Sequence, residues 1–149
     1  MKSVSNILLG DFIKRLYLER NAYEGEKLFG EITDGEYVRR AVSEGWAESI
    51  DLTEMDNPVE RRIAARLIHE YIRNVLGISD IPDISSASAL KDLYDCRTCV
   101  NHIAQVFLRG IIDPKEIPGE NGNILIFDGR ATLSEEEADA VLGRVFSIS

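Results

Sequence analysis

Two stretches of this chain repeat one another, and the repetition limits the possible folds more than any other feature. One copy runs Phe29-Gly-Glu-Ile32, then Tyr37-Val38-x-x-Ala41-Val42-x-x-Gly45, then Val59-Glu-Arg-Arg-Ile-Ala64-Ala65-Arg-Leu67-Ile68. The other runs Leu90-Lys-Asp-Leu93, then His102-Ile103-x-x-Val106-Phe107-x-x-Gly110, then Leu133-Ser-Glu-Glu-Glu-Ala138-Asp-Ala-Val141-Leu142. The N-terminal Ile7-Leu-Leu-Gly-Asp-Phe12-Ile13 reads as the last third of a further copy. A unit this small cannot bury its own apolar face, so the copies must pack on one another.

Helical periodicity fills out the copies. Phe12, Ile13, Leu16 and Tyr17 share a face with Leu8 or Leu9 and predict a helix over 5–20. Asn21–Gly30 reads as a loop or short turn. A second helix is expected over 35–44, capped by Asp34 and stopped by Gly45. A third, over 58–76, has Asn57 as cap, Pro58 at the first turn, Glu60 in a capping box and Gly77 as stop. A fourth is expected over 96–109 between Asp95 and Gly110, preceded by a possible helical turn over 87–94. Ser134 and Glu137 form a capping box, with a Leu133–Ala138 staple, for a fifth over 135–146. Ile124–Phe127 is the one stretch that suits a short strand. The fold class expected is therefore all-α, with at most a minor strand pair.

The length, 149 residues, fits one domain with a substantial core. The repeats divide it into a partial copy over 1–28 and copies over 29–77 and 90–146. The net charge of −9 argues against nucleic acid and anionic membrane surfaces as partners. No apolar run reaches the ~20 residues that span a bilayer, so no membrane insertion is expected.

The repeat motifs resemble those of S-layer homology domains. In that family each repeat opens with Phe-x-Asp-Val, passes through a helix ending in Gly-Ile, and starts a second helix with Ile-Thr-Arg-Ala-Glu. Phe29–Ile32 and Leu90–Leu93 match the opening, Gly45-Trp46 and Gly110-Ile111 the middle step, and Val59–Ile63 and Leu133–Glu137 the second helix. Ile7–Asp11 is the matching fragment of the first repeat. The resemblance implies a pseudo-threefold bundle of helix–loop–helix repeats that binds an anionic polysaccharide of the bacterial cell wall. The arginine that contacts polymer in the family aligns with Arg61 in the central copy, and with Leu9 and Glu135 in the others.

Arg61 and Arg62 suit bidentate binding of carboxylate or phosphate. Solvated pairs with Glu60, Asp56 or Glu54 are the simpler alternative. Trp46 could stack on a sugar ring or lie in the core. These three residues are the expected ligand contacts. Cys96-x-x-Cys99 fits two ordinary helix residues, a redox pair or half a zinc site. His69 and His102 have no recognisable ligand spacing and no nucleophile beside them, so structural roles are expected. Glu135–Glu137 fails as a calcium loop, because Ile126 and Ala131 fall at ligand and glycine positions, and reads as a dipole complement.

No phosphate loop, Gly-x-Ser-x-Gly or His-Glu-x-x-His occurs, so no enzyme, cofactor or metal is expected. The function expected is non-catalytic binding of a wall glycan. The alternative is a protein-interaction or dimerisation module that kept the scaffold and lost the glycan. The resemblance implies a cell-surface or secreted location. The polar start, Met1–Asn6, carries no secretory signal and suits the cytoplasm if residue 1 is the true start.

Overall fold

Residues Ile7, Val59 and Leu133 determine where the long helices can begin. Ile7 N–H donates to Leu133 O (3.1 Å), Leu133 N–H to Val59 O (3.0 Å), and Val59 N–H to Ile7 O (3.0 Å). The three bonds close a ring, and all three side chains are buried. A backbone group committed to such a partner is unavailable to a helix. The helices therefore start two residues further on. This computed structural model describes residues 5–20 and 33–148. The expected loop over 21–30 and the motif Phe29–Ile32 lie outside them.

Among the described residues there are six α-helices and one two-stranded sheet: α1 (Leu9–Arg20), α2 (Asp34–Ser43), α3 (Ser49–Thr53), α4 (Arg61–Asn74), α5 (Val100–Leu108) and α6 (Glu135–Phe146), with β1 (Lys115–Gly119) and β2 (Gly122–Ile126). None of these helices is long and apolar enough to cross a membrane. The fold is mostly helical, as expected, with the strand region larger than Ile124–Phe127 alone. The chain divides into two compact units, Met1–Val59 with Thr132–Ser149, and Glu60–Ala131. The cut falls inside the copy read over 29–77.

In the first unit, Phe12, Ile13 and Leu16 of α1 are fully buried, as are Val38 and Ala41 of α2. Tyr17 and Tyr37 meet edge to face at 5.4 Å between centroids. Gly10 donates to Met55 O (2.9 Å), and a Cβ there would stand 3.1 Å from Met55 Cβ, so any side chain would push Met55 back by a few tenths of an ångström. Helix α2 is capped by Thr33 rather than Asp34, because the Thr33 hydroxyl accepts from Glu36 N–H. It ends at Gly45, whose φ of 89° is the left-handed turn that suits glycine. Helix α3 was not anticipated. Its carboxylate cap is mutual: Glu48 accepts from the backbone of Asp51, and Asp51 accepts from Glu48 N–H. Helix α6 matches the expectation at both ends, and Ser134 and Glu137 form the capping box read from the sequence.

In the second unit, α4 buries Ala64, Leu67, Ile68, Tyr71 and Ile72 along one face, and that face packs on α5. The helix does not begin at Asn57–Pro58. Its N-cap is Glu60, because Val59 is held extended in the ring. Helix α5 likewise begins later than expected. Cys96 is extended (φ −121°, ψ 99°), and a single 3-10 turn over Arg97–Cys99 precedes Val100. The helical turn expected over 87–94 is two 3-10 turns, Ser85–Ala89 and Leu93–Asp95. Strands β1 and β2 form an antiparallel hairpin closed at Gly119↔Gly122. Lys91 N–H donates to Leu125 O (2.9 Å), which ties the Leu90–Leu93 motif to β2.

Candidate functional site

The start of α4 and the segment after β2 are bonded backbone to backbone. Arg61 N–H donates to Ala131 O (2.8 Å) and Arg62 N–H to Gly129 O (2.9 Å). The approach is close enough that a Cβ on Gly129 would stand 3.1 Å from Arg62 Cβ. Asp128 takes a left-handed φ of 59°, which turns the chain at this point. Asp92, from the Leu90–Leu93 motif, accepts from Phe127 N–H and Asp128 N–H (both 2.7 Å) and fixes the turn from the other side.

The two arginines of α4 have opposite fates. Arg61 is 3% exposed. Its Nε donates to Phe127 O (2.8 Å), a terminal nitrogen donates to Asp113 O (2.6 Å), and its guanidinium lies 5.1 Å from the Phe127 ring centroid. It is a buried brace for the turn, not a group held out to a ligand. Arg62 is half-buried and pairs with Glu60 at 2.7 Å. It lines a cleft of about 240 Å³ with Arg130, Asp92, Asp95, Asp128 and Cys96, above a floor of Ile103 and Phe127. The sequence reading missed Arg130 and the three aspartates. A signal was present in Asp128-Gly129, a turn pair directly after an apolar run.

Trp46 belongs to the first unit, so the cleft does not include it. The residue is 1% exposed, and its Nε1–H donates to Glu44 Oε1 (3.0 Å). Burial withdraws both ring faces from solvent and makes Trp46 a core residue. Cys96 and Cys99 are joined in a disulfide. They are neither ordinary helix residues nor thiolates available to zinc.

His69 and His102, 33 residues apart, meet in the same unit. His69 is buried, and its Nδ1 lies 2.8 Å from His102 Nδ1, while its Nε2 lies 2.7 Å from Asp80 Oδ1. Asn101 Nδ2 donates to the other Asp80 oxygen (3.0 Å). Burial alone would raise the Asp80 pKa, but the hydrogen bonds from His69 and Asn101 hold it below the usual value. Asp80 is therefore a carboxylate that accepts from His69 Nε2–H. Of the two facing Nδ1 atoms of His69 and His102, one donates to the other. Burial, with the adjacent His69, pushes His102 down to about 4.

No protein-family model matches this chain, and neither a curated protein nor a solved structure matches it.

Proposed function

We propose that this chain is a non-catalytic binding module on an S-layer-homology-like, pseudo-threefold scaffold, with an anionic carbohydrate as ligand. The observation that carries the reading is the closed hydrogen-bond ring of Ile7, Val59 and Leu133. These are the first residues of the three second-helix motifs read from the sequence. Two residues on, each motif repeats the same device. Leu9 donates to Asn57 O, Arg61 to Ala131 O, and Glu135 to Ser5 O, each acceptor lying two residues before a ring member. Equivalent residues doing equivalent backbone work is what a threefold repeat requires.

Two of the three positions where the family keeps its polymer-binding arginine are Leu9 and Glu135, and the third, Arg61, is spent on carbonyls. Ligand contact therefore passes to Arg62 and Arg130. Their guanidinium groups suit a carboxylate or phosphate substituent, and Asp95 and Asp128 suit sugar hydroxyls. The cleft is below the ~300–1,000 Å³ of drug-sized sites, which fits one sugar-sized group.

The test is co-sedimentation with purified bacterial cell walls, with and without their secondary polymers. Wild type should sediment with intact walls only, and Arg62→Ala with Arg130→Ala should weaken this at least tenfold. Wild type that stays in the supernatant contradicts the reading. The burial of Arg61 favours a second reading, an interaction module whose polymer site is lost. That reading expects no wall binding and a mass that rises with concentration in light scattering.

A further inference from the structure

We propose that His69, His102 and Glu70 form a binding site for a divalent transition-metal ion of the zinc class, with Asp80 as the group that orients His69. The ring nitrogens of the two histidines and a Glu70 carboxylate oxygen all lie within 4.8 Å of one another. Nitrogen and carboxylate donors are the set that zinc takes in three-ligand sites with an open fourth position. Two nitrogens each ~2.0–2.1 Å from a tetrahedral ion stand roughly 3.3 Å apart. The observed separation is 2.8 Å, so to take an ion the rings must part by about half an ångström and turn their Nδ1 atoms from one another towards a shared point.

The second argument is the far side of His69. A metal-bound histidine usually donates its other N–H to a carboxylate, which fixes the tautomer and aims the lone pair. His69 Nε2 is placed on Asp80 in that way at 2.7 Å, and Asn101 holds Asp80. The ring edge left for the ion, at Nδ1, faces His102 Nδ1 at 2.8 Å. The proton held between the two Nδ1 atoms must leave, to solvent or to His102 Nε2, for both nitrogens to become ligands.

Access also suits the site. His69 is buried, while His102 and Glu70 are half-buried, so the ion would reach it from their side. Arg73 lies 3.4 Å from Glu70 and 3.6 Å from Asp80, and is itself half-exposed. A pair that exposed holds Glu70 weakly and can yield to an ion. The site lies apart from the Arg62 cleft in its residues and does not depend on the carbohydrate reading.

The experiment is calorimetric titration of the chelator-treated, tag-free chain with zinc chloride. The disulfide is kept intact so that Cys96 and Cys99 supply no thiolate. Wild type should bind one ion per chain. His102→Ala should weaken binding at least 100-fold, and so should Glu70→Gln, whose partly exposed position keeps the fold intact. Asp80→Asn should keep the stoichiometry and weaken binding about 10–100-fold, as loss of an orienting carboxylate does. Cobalt substitution should give the visible bands of a four- or five-coordinate ion in wild type and lose them in His102→Ala. No heat and no cobalt bands with wild type, or binding unchanged in both His102→Ala and Glu70→Gln, overturns the site.

Discussion

The two ends of α4 (Arg61–Asn74) handle buried polarity in different ways. At the N-terminal end Arg61 gives its guanidinium to the backbone carbonyl oxygens of Phe127 and Asp113. Further along, His69 gives its two ring nitrogens to other side chains, His102 and Asp80. A side chain that satisfies backbone is locked by the fold. A side chain satisfied by titratable partners can exchange one of them for a proton or an ion. Burial is similar at the two ends, so burial alone does not separate structure from candidate function; the identity of the partner does.

The largest effect should come from breaking the rigid end. Arg61→Ala takes the guanidinium from the carbonyl of buried Phe127, loses the bond to Asp113 O and removes the contact with the Phe127 ring, and should cost about 3–5 kcal/mol in urea unfolding. Arg62→Ala, next door, should cost no more than about 1 kcal/mol, because its partner Glu60 is solvent-accessible. Equal losses in the two variants would erase the distinction between them.

The exchangeable end should respond to pH in the chelator-treated protein. His102 is held down to about 4 by burial and by His69, with Arg66 and Arg73 adding to this and Glu70 opposing it. Above pH ~6.5 the histidine is neutral both folded and unfolded, and stability is at its full value. As pH falls from ~6.5 towards 4 the unfolded chain takes up a proton that the folded chain refuses, so stability falls. The loss should reach about 2–3 kcal/mol, and His102→Gln should flatten the curve over that interval. Asp80 acts in the same direction at lower pH, since its pKa is lowered and its contribution is lost as acid protonates it. A wild-type curve that is flat between pH 7 and 4.5 would show that His102 is not held neutral by the fold.

A smaller effect sharpens the comparison from outside α4. Ser134→Ala removes one half of the α6 capping box and should cost about 1 kcal/mol. The serine hydroxyl accepts from Glu137 N–H (3.0 Å) and donates to Glu137 Oε1 (3.4 Å), and urea unfolding at pH 7 checks the loss of both.

The local rules were legible in the sequence where nothing distant competed with them. Ser134 and Glu137 cap α6, and Gly45, Gly77 and Gly110 all take positive φ near the ends of their helices. The rules failed where long-range bonds intervened. Asn57, Pro58 and Glu60 make a sound helix start by local chemistry, yet Val59 is bonded to Ile7 and Leu133, and α4 waits until Arg61. The same ring delays α1 from residue 5 to Leu9. The site was less legible than the fold. Arg62 could be named, but Arg61 and Trp46, named with it, are buried, and nothing in the sequence said on which side of the surface they would fall. His69 and His102 were visible as residues but not as a pair, because no spacing rule spans 33 positions.

Amide hydrogen exchange followed by NMR reads the ring of Ile7, Val59 and Leu133 bond by bond. The amides of Ile7, Val59 and Leu133 should exchange only through the most global opening of the protein, with closely similar protection. Rapid exchange at any one of the three, at rates like those of exposed turn amides, would contradict the closed ring and the three-part scaffold built on it.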